Sequence, residues 1–416
     1  MTSDRATTRA LWIGTYQPEG ASPGSGEGVW RVDVDLRTGA FGEPRLAVTL
    51  PAPSFLALHP SGRTLYAVGE DDPGTLTALE VLADAAPDAG AGDPATGLAV
   101  LGAVASGGSF PCHVLALDDE VWVANYGDGV AARLPVDPAT GVPAAEGVTT
   151  FGHEGSGPVT DRQEGPHAHF VLPARAGGDA DGVLVSDLGT DELRRLPTGK
   201  AATAATSATG GGPDARPDGP LPTVPLPAGT GPRHAVRCAG HLVVVGELDG
   251  RAHVLAPRAD GGYEHLGSAP VMDLEATLPQ GTPVQPSHVS VSRTAPDEAL
   301  YVGVRGPDVL AVLTVTPAGV EAGPGSVLDG RRWAHRADVP LGEGAWPRHH
   351  AVLDRGAARE AAGAPGALAP HEDLVVVALQ GTSELVSLRV DPRTGAGEVV
   401  HRLPMPTPPA CVLEAW

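Results

Sequence analysis

Lysine is almost missing from this chain of 416 residues. Lys200 is the only lysine, and it lies in the low-complexity stretch GKAATAATSATGGG. A catalytic Schiff base needs a lysine whose pKa is lowered by fixed surroundings. This chemistry is therefore nearly excluded, and every other basic side chain is an arginine.

Cysteines and long apolar runs are also scarce. Cys112, Cys238 and Cys411 form an odd set without a C-x-x-C pair, so we expect small buried apolar residues and no disulfide framework. No run approaches the ~20 apolar residues of a membrane-spanning helix. The N-terminal stretch MTSDRATTRALWIGTY is too poor in apolar residues for a signal peptide. We expect a cytoplasmic protein that does not bind membranes.

Positive charge is outnumbered by negative charge. The formal net charge is −22 and the isoelectric point is about 5.0. A phosphate backbone would be repelled, so nucleic acid is not an expected partner. The sequence indicates no particular oligomeric state.

The chain does contain a repeat that begins at a proline. Each copy has a short β-rich run, a turn, and a second run that ends in a small polar cluster. The first runs start at Pro53, Pro111, Pro166, Pro232, Pro286, Pro347 and Pro408, roughly 60 residues apart. Four strands in each unit around an axis make a β-propeller.

The two ends of the chain complete each other in this repeat. The last copy, PPACVLEAW, has no second strand, and the N-terminal ALWIGTY has no first strand. We therefore predict an all-β, seven-bladed β-propeller in which the C-terminal strand completes the N-terminal blade and leaves no open edge. Residues 1–416 would form one domain, with mobile insertions near 81–100, 199–222 and 355–371.

The sequence favours no metal site. Histidines at several blade starts offer one arrangement for a metal, but no acidic triad with metal-ligand spacing accompanies them. The calcium-like stretches DVDLRTG (33–39), PVDPATG (135–141) and RVDPRTG (389–395) are better interpreted as hairpins. In them, Asp bonds its own backbone and Gly takes a positive φ.

The strand pattern brings distant residues to one mouth of the channel, because first strands begin and second strands end on the same face. Histidines repeated after the prolines, namely His113, His234 and His288, favour a structural role in bonding the next blade. Non-repeated residues are better functional candidates: His167, Arg233, Glu247, Arg305 and Arg348, with His234 and His349 beside the two arginines.

Arginine, histidine and a carboxylate at one mouth suit an anionic substrate with a carbonyl group or a developing oxyanion. The alternative for Glu247 and Arg305 is a buried ion pair between blades.

The motifs WIGTY, PSFLALHPSGRTLYAVGE, PCHVLAL, PHAHFV, GPRHAV, VVVGEL and VGVRG resemble the seven-bladed lactonase family over nearly the whole chain. That family includes the propeller-type 6-phosphogluconolactonases and the fungal carboxy-cis,cis-muconate cyclases. The resemblance implies no cofactor and four catalytic residues: His169, Arg233, Glu247 and Arg305. Both His167 and His169 stay candidates. Gly246 and Val304 stand where many bacterial members have asparagine.

The resemblance implies a hydrolase acting on a small anionic lactone, most closely a 6-phosphogluconolactonase of carbohydrate metabolism. His169 or Glu247 would activate water, and the two arginines would bind the acid group and stabilise the oxyanion. One alternative is a cycloisomerase that closes or opens a muconate-type lactone with the same residues. Another is a non-catalytic propeller that serves as a binding scaffold.

Overall fold

The computed structural model describes residues 7–18, 27–82, 97–144, 146–175, 178–199, 223–273, 278–279, 281–319, 325–359 and 366–415. Most of the predicted insertions at 81–100 and 199–222, including Lys200, lies outside these described residues. The third predicted insertion, 355–371, is described in part.

Seven antiparallel sheets surround a central channel, and each sheet is one blade. The strands of blades 1 to 3, from the channel outwards, are as follows. Blade 1 has β29 (Pro409–Glu414), β1 (Thr8–Thr15), β2 (Gly28–Asp35) and β3 (Arg45–Thr49). Blade 2 has β4 (Leu56–Leu58), β5 (Thr64–Gly69), β6 (Thr75–Val81) and β7 (Leu98–Ala105). Blade 3 has β8 (Pro111–Ala116), β9 (Glu120–Asn125), β10 (Ala131–Pro135) and β11 (Thr149–Phe151).

Blades 4 to 7 follow in the same sense around the ring. Blade 4 has β12 (Ala168–Arg175), β13 (Gly178–Asp187), β14 (Glu192–Leu196) and β15 (Val224–Pro225). Blade 5 has β16 (Pro232–Cys238), β17 (His241–Gly246), β18 (Arg251–Pro257) and β19 (Tyr263–Pro270). Blade 6 has β20 (Gln285–Val291), β21 (Ala299–Arg305), β22 (Val309–Pro317), β24 (Arg331–Pro340) and β23 (Ser326–Leu328). Blade 7 has β25 (Pro347–Val352), β26 (Asp373–Leu379), β27 (Glu384–Val390) and β28 (Gly397–Pro404).

The ring closes as predicted from the sequence. Strand β29 pairs with β1, and Val412 lies opposite Ile13 in this register. The C-terminal strand therefore supplies the inner edge of blade 1, so β1 has a hydrogen-bonded partner on each side.

Blade 6 departs from the predicted four strands. Its fifth strand, β23, forms a hairpin with β24. The hairpin turns at Asp329 and Gly330, which have φ of 47° and 69°. Two successive positive φ values are typical of a tight type I′ turn, and this local turn adds a strand without changing the ring.

The second strand of each blade lies in the apolar core. All six residues of β17 are buried, as are all seven of β21 and of β26. Each such strand is covered on both faces by neighbouring blades. Its sequence is therefore a continuous run of Val and Leu, without the alternation of apolar and polar residues seen in half-exposed strands. The three cysteines are buried and unpaired, as predicted.

The calcium-like stretches are outer hairpins, as predicted. The Asp35 carboxylate accepts hydrogen bonds from the amides of Arg37 and Thr38, and Gly39 has a φ of 76°. The same bonds are made at Asp137 and Asp391.

The described part of the segment 355–371 packs against blade 1. It contains a 3-10 turn at Gly356–Arg359. The buried Arg355 guanidinium donates to backbone oxygens of Leu36, Leu368, Ala369 and Glu372. No helix within the described ranges is long and apolar enough to cross a membrane.

Candidate active site

The blade pattern brings the predicted charged residues together at one mouth of the channel. Pro232, at the start of β16, lies opposite Gly246 at the end of β17, so the adjacent Arg233 and Glu247 are neighbours. In the next blade, Arg305 ends β21 and lies opposite Gln285. Arg233, Glu247 and Arg305 form one ion-paired group.

Three guanidinium groups surround the Glu247 carboxylate. Arg233 Nε and Arg305 Nη2 each lie 2.7 Å from Oε2, and Arg162 Nη2 lies 2.6 Å from Oε1. Burial alone would raise the pKa of Glu247, but Arg305, Arg233 and Arg162 outweigh it and hold the pKa well below its usual range. Glu247 is therefore ionised at neutral pH, and its carboxylate forms ion pairs with all three arginines.

Arg162 was missed by the sequence reasoning. It lies in the irregular segment between β11 and β12, where no periodic pattern draws attention to it. The next residue, Gln163, anchors this segment, because its buried amide nitrogen donates to the Leu188 backbone oxygen and to Asp191. Arg162 is thereby held over Glu247, and it also donates to the Tyr126 hydroxyl at 3.4 Å.

His169 and His167 have different surroundings. Both ring nitrogens of His167 are engaged, one with the Tyr126 backbone oxygen at 2.8 Å and the other with Glu164 at 3.2 Å. The Nδ1 of His169 lies 3.7 Å from the Cys112 sulfur, and the ring packs edge-on against Tyr126 and His234. Its Nε2 has no side-chain hydrogen-bond partner among the described residues. Burial and the nearby Arg233 lower the pKa of His169 well below its usual range, so the ring is neutral.

The other repeated histidines fill the channel together with two phenylalanines. The His113 ring lies 4.4 Å from Phe55 and 4.2 Å from Phe170, and the His234 ring lies 5.1 Å from His288. The predicted structural role is confirmed for His113, whose Nδ1 accepts a hydrogen bond from the Val171 amide of the next blade.

His349, predicted to bind substrate, makes the equivalent inter-blade bond. Its Nδ1 accepts from the Val412 amide of β29. Its ring lies 3.9 Å from that of His288.

Arg348 belongs to a second charged group at the mouth. Its Nη2 donates to the Tyr16 hydroxyl, and that hydroxyl donates to Glu70 Oε2 at 2.6 Å. The Arg348 guanidinium also lies over the Tyr16 ring, 5.1 Å from its centroid. Tyr16 and Glu70 each directly follow a second strand, which is the position that Glu247 holds in its own blade.

A narrow cleft connects the two charged groups. It is lined by Ser54, Phe55, Cys112, Arg233, His234, Arg348, His349 and Ala410. Burial raises the pKa of the Cys112 thiol far above neutral, so this sulfur is a protonated, apolar part of the lining.

A larger cavity of about 680 Å³ opens elsewhere, beside the turn between β16 and β17. None of the residues predicted from the sequence as functional lines it. Within the described part of the chain, no group of three or more His, Cys, Asp or Glu side chains is arranged to hold a metal ion.

Comparisons with known proteins agree with this architecture. Residues 10–322 match the family model described as "Lactonase, 7-bladed beta-propeller". A 6-phosphogluconolactonase of Bacillus subtilis (strain 168) is 31% identical over 188 residues, which cover 44% of this chain and 47% of that protein. The match thus spans about half the length of this relative.

Two further likenesses cover more of the chain. An uncharacterised protein of Staphylococcus saprophyticus is 26% identical over 317 residues, 75% of this chain and 79% of that protein. The periplasmic gluconolactonase of Pseudomonas aeruginosa superposes with a TM-score of 0.72 at 24% identity, covering 99% of each chain. This last similarity establishes a shared fold.

Proposed function

Because the chain belongs to the seven-bladed β-propeller lactonase family, we propose that it hydrolyses the lactone of a sugar acid, with 6-phosphogluconolactone as the leading substrate. The observation that carries this proposal is the group at the channel mouth: a neutral His169 near arginines whose positions are fixed by Glu247. A family relative that carries the name 6-phosphogluconolactonase supports the substrate class.

His169 is the proposed general base. Water attacks the lactone carbonyl carbon, and the unpartnered Nε2 of His169 accepts the proton that the water loses. A base must be unprotonated before the reaction, and the lowered pKa of His169 keeps it so at neutral pH. Glu247 is a poor candidate for this step, because its carboxylate is already committed to three arginines.

Arg233 and Arg305 are the proposed stabilisers of the oxyanion. Attack places a negative charge on the former carbonyl oxygen, and pre-positioned cations in a water-poor site stabilise such a charge strongly. Both side chains are almost fully buried, at 2% and 6% exposure. When the intermediate collapses, the ring C–O bond breaks and the imidazolium returns its proton to the leaving alkoxide. The product is the open hydroxy acid, with one water consumed.

Acid release from fresh 6-phosphoglucono-δ-lactone and from glucono-δ-lactone tests the proposal. We expect Arg233→Met to lower kcat by about 10²–10³, the usual loss for one oxyanion donor. Arg237→Met is the matched control, since Arg237 lies on the same strand but donates to the Pro173 backbone oxygen, remote from the mouth. An Arg233→Met protein as active as the wild type would refute this assignment. Turnover of neither lactone by the wild type would favour the cycloisomerase, to be tested with muconate-type diacids, or the binding scaffold.

The pH dependence tests His169 separately. Because the folded pKa of His169 lies below the usual 6.5, the neutral base persists as the pH falls through that value. We expect kcat/KM to be flat from pH 8 to 6.5 and to decline only at lower pH. An acid limb centred at or above 6.5 in an initial-rate profile, corrected for spontaneous hydrolysis, would contradict this role.

A further inference from the structure

We infer that Arg348, oriented by Tyr16, binds a phosphate monoester at the end of the substrate remote from the lactone carbonyl. This inference rests on the proposed function. It gives a binding role to the second charged group at the mouth, Arg348 with Tyr16 and Glu70, which takes no part in the proposed hydrolytic steps.

The two charged groups are built from the same sequence elements. Blade 5 combines PRH at 232–234 with VGE at 245–247, and these supply Arg233 and Glu247. The same PRH recurs at 347–349 in blade 7, and VGE recurs at 68–70 in blade 2. They supply Arg348 and Glu70, whose nearest side-chain atoms are 3.7 Å apart. The mouth therefore carries two Arg–Glu pairs in place of one.

Arg348 and the proposed base His169 lie on opposite sides of the mouth. Arg348 begins blade 7 and His169 belongs to blade 4, so the two lie three blades apart in a ring of seven. That is the largest separation such a ring allows. Arg233 and Arg348 nevertheless line the same narrow cleft. The cleft itself has a volume of only about 10 Å³, so a sugar phosphate would lie over the mouth, with one end at the catalytic group and the other at Arg348.

Arg348 is held in place and still has donors to spare. One nitrogen, Nη2, donates to Tyr16, and the guanidinium plane is supported by the Tyr16 ring. Neither Nε nor Nη1 has a hydrogen-bond partner among the described residues. The side chain is 19% exposed, compared with 2% for Arg233. The Nε–H and Nη1–H groups lie on different edges of the guanidinium, so each can donate to one phosphate oxygen.

The charge balance favours a dianionic ligand. Within the two ion-paired groups, the guanidiniums of Arg162, Arg233, Arg305 and Arg348 face only the carboxylates of Glu70 and Glu247. These six side chains thus carry a formal net charge of +2, in a protein whose formal net charge is −22. A phosphate monoester carries close to two negative charges at neutral pH, whereas an unphosphorylated sugar lactone carries none.

The experiment measures the preference for phosphate as a ratio. We would determine kcat/KM for 6-phosphoglucono-δ-lactone and for glucono-δ-lactone in the wild type and in Arg348→Met. The ratio of the two values should fall by about 10- to 100-fold in the variant, the usual contribution of hydrogen bonds to a charged group. Tyr16→Phe keeps the supporting ring and removes the hydroxyl, and it should lower the ratio by a smaller factor. Arg389→Met, which removes an exposed arginine of blade 7, should leave the ratio unchanged.

A binding measurement separates failure of this inference from failure of the proposed function. By calorimetry, the wild type should bind 6-phosphogluconate more tightly than gluconate or glucarate, and Arg348→Met should lose this difference. That result would support the phosphate site even if neither lactone were turned over. If the wild type hydrolyses both lactones but Arg348→Met lowers both rates by the same factor, the inference is wrong and the proposed function stands. Equal binding of all three acids, or tighter binding of glucarate, would also overturn it.

Discussion

Glu247 holds the charged group at the mouth together, because its carboxylate pairs with three arginines. It is 3% exposed, and two of its three arginine partners are themselves nearly fully buried. Placing charges in such surroundings is costly, and the ion pairs with Glu247 offset part of that cost. The sequence left open whether Glu247 and Arg305 form a buried ion pair or a functional group. The ion pair is present, and the same contacts position the arginines for the proposed catalysis.

Replacement of Glu247 by glutamine should therefore affect stability as well as activity. Glu247→Gln leaves the Arg233 and Arg305 guanidiniums buried without a counter-charge, and we expect a loss of about 3–5 kcal/mol in the free energy of unfolding. Urea denaturation measures this loss. Glu398→Gln is the control: its pair with Arg389 is 58% and 39% exposed, and such surface pairs contribute about 0–1 kcal/mol. Equal losses in the two variants would contradict the buried-pair interpretation.

At the scale of strands, most of the fold could be predicted from the sequence because the repeat is regular. The Pro-x-His starts and the Val/Leu second strands predicted seven blades and the closure by β29. The same regularity placed Arg233, Glu247 and Arg305 at one mouth, since strand starts and strand ends have fixed positions in a blade.

Two residues at the mouth were not predicted from the sequence. Arg162 lies outside the repeat, and Glu70 lies in a repeated VGE pattern whose second copy was overlooked. Arg162 lies outside any strand, so only the three-dimensional course of its segment brings it to Glu247. Glu70 shared the VGE pattern of Glu247 and was identifiable from it. Tyr16 forms hydrogen bonds with both Glu70 and Arg348, and these three residues belong to three different blades. A local sequence pattern cannot predict contacts between residues so far apart in the chain.

The closing strand β29 offers a test at this scale. A chain ending at Pro408 loses the buried residues Ala410, Cys411 and Val412 and exposes the inner edge of β1. Unpaired strand edges associate with one another, so we expect lower thermal stability and soluble aggregates in size-exclusion chromatography. A synthetic peptide of residues 409–416 added in trans should restore part of the wild-type elution peak. A truncated chain that elutes like the wild type with an unchanged Tm would show that β29 is dispensable.

A cluster of neutral histidines lies along the axis of the whole molecule, five of them buried and His288 partly exposed. Burial lowers the pKa of six of them, and Arg233 adds to the effect at five; the six are His113, His169, His234, His288, His349 and His350. For His113 and His350 the pKa falls to about 3. The imidazoles pack on one another and on Phe55 and Phe170, so a protonated ring would place an uncompensated charge in the channel.

This arrangement predicts a protein that loses stability in mild acid. Below pH 6.5 the unfolded chain binds protons at these histidines and the folded chain does not, so the free energy of unfolding falls as the pH falls. Each histidine contributes up to about 1.4 kcal/mol per pH unit in that range. Urea denaturation at pH 7.5, 6.5 and 5.5 at constant ionic strength should show a steep decline below 6.5, before carboxylates begin to titrate. His113→Gln, which keeps an acceptor for the Val171 amide but cannot be protonated, should reduce the slope by about one proton. A wild-type stability that is constant from pH 7.5 to 5 would show that the channel admits charged imidazoles, and the neutral state assigned to His169 would have to be abandoned with it.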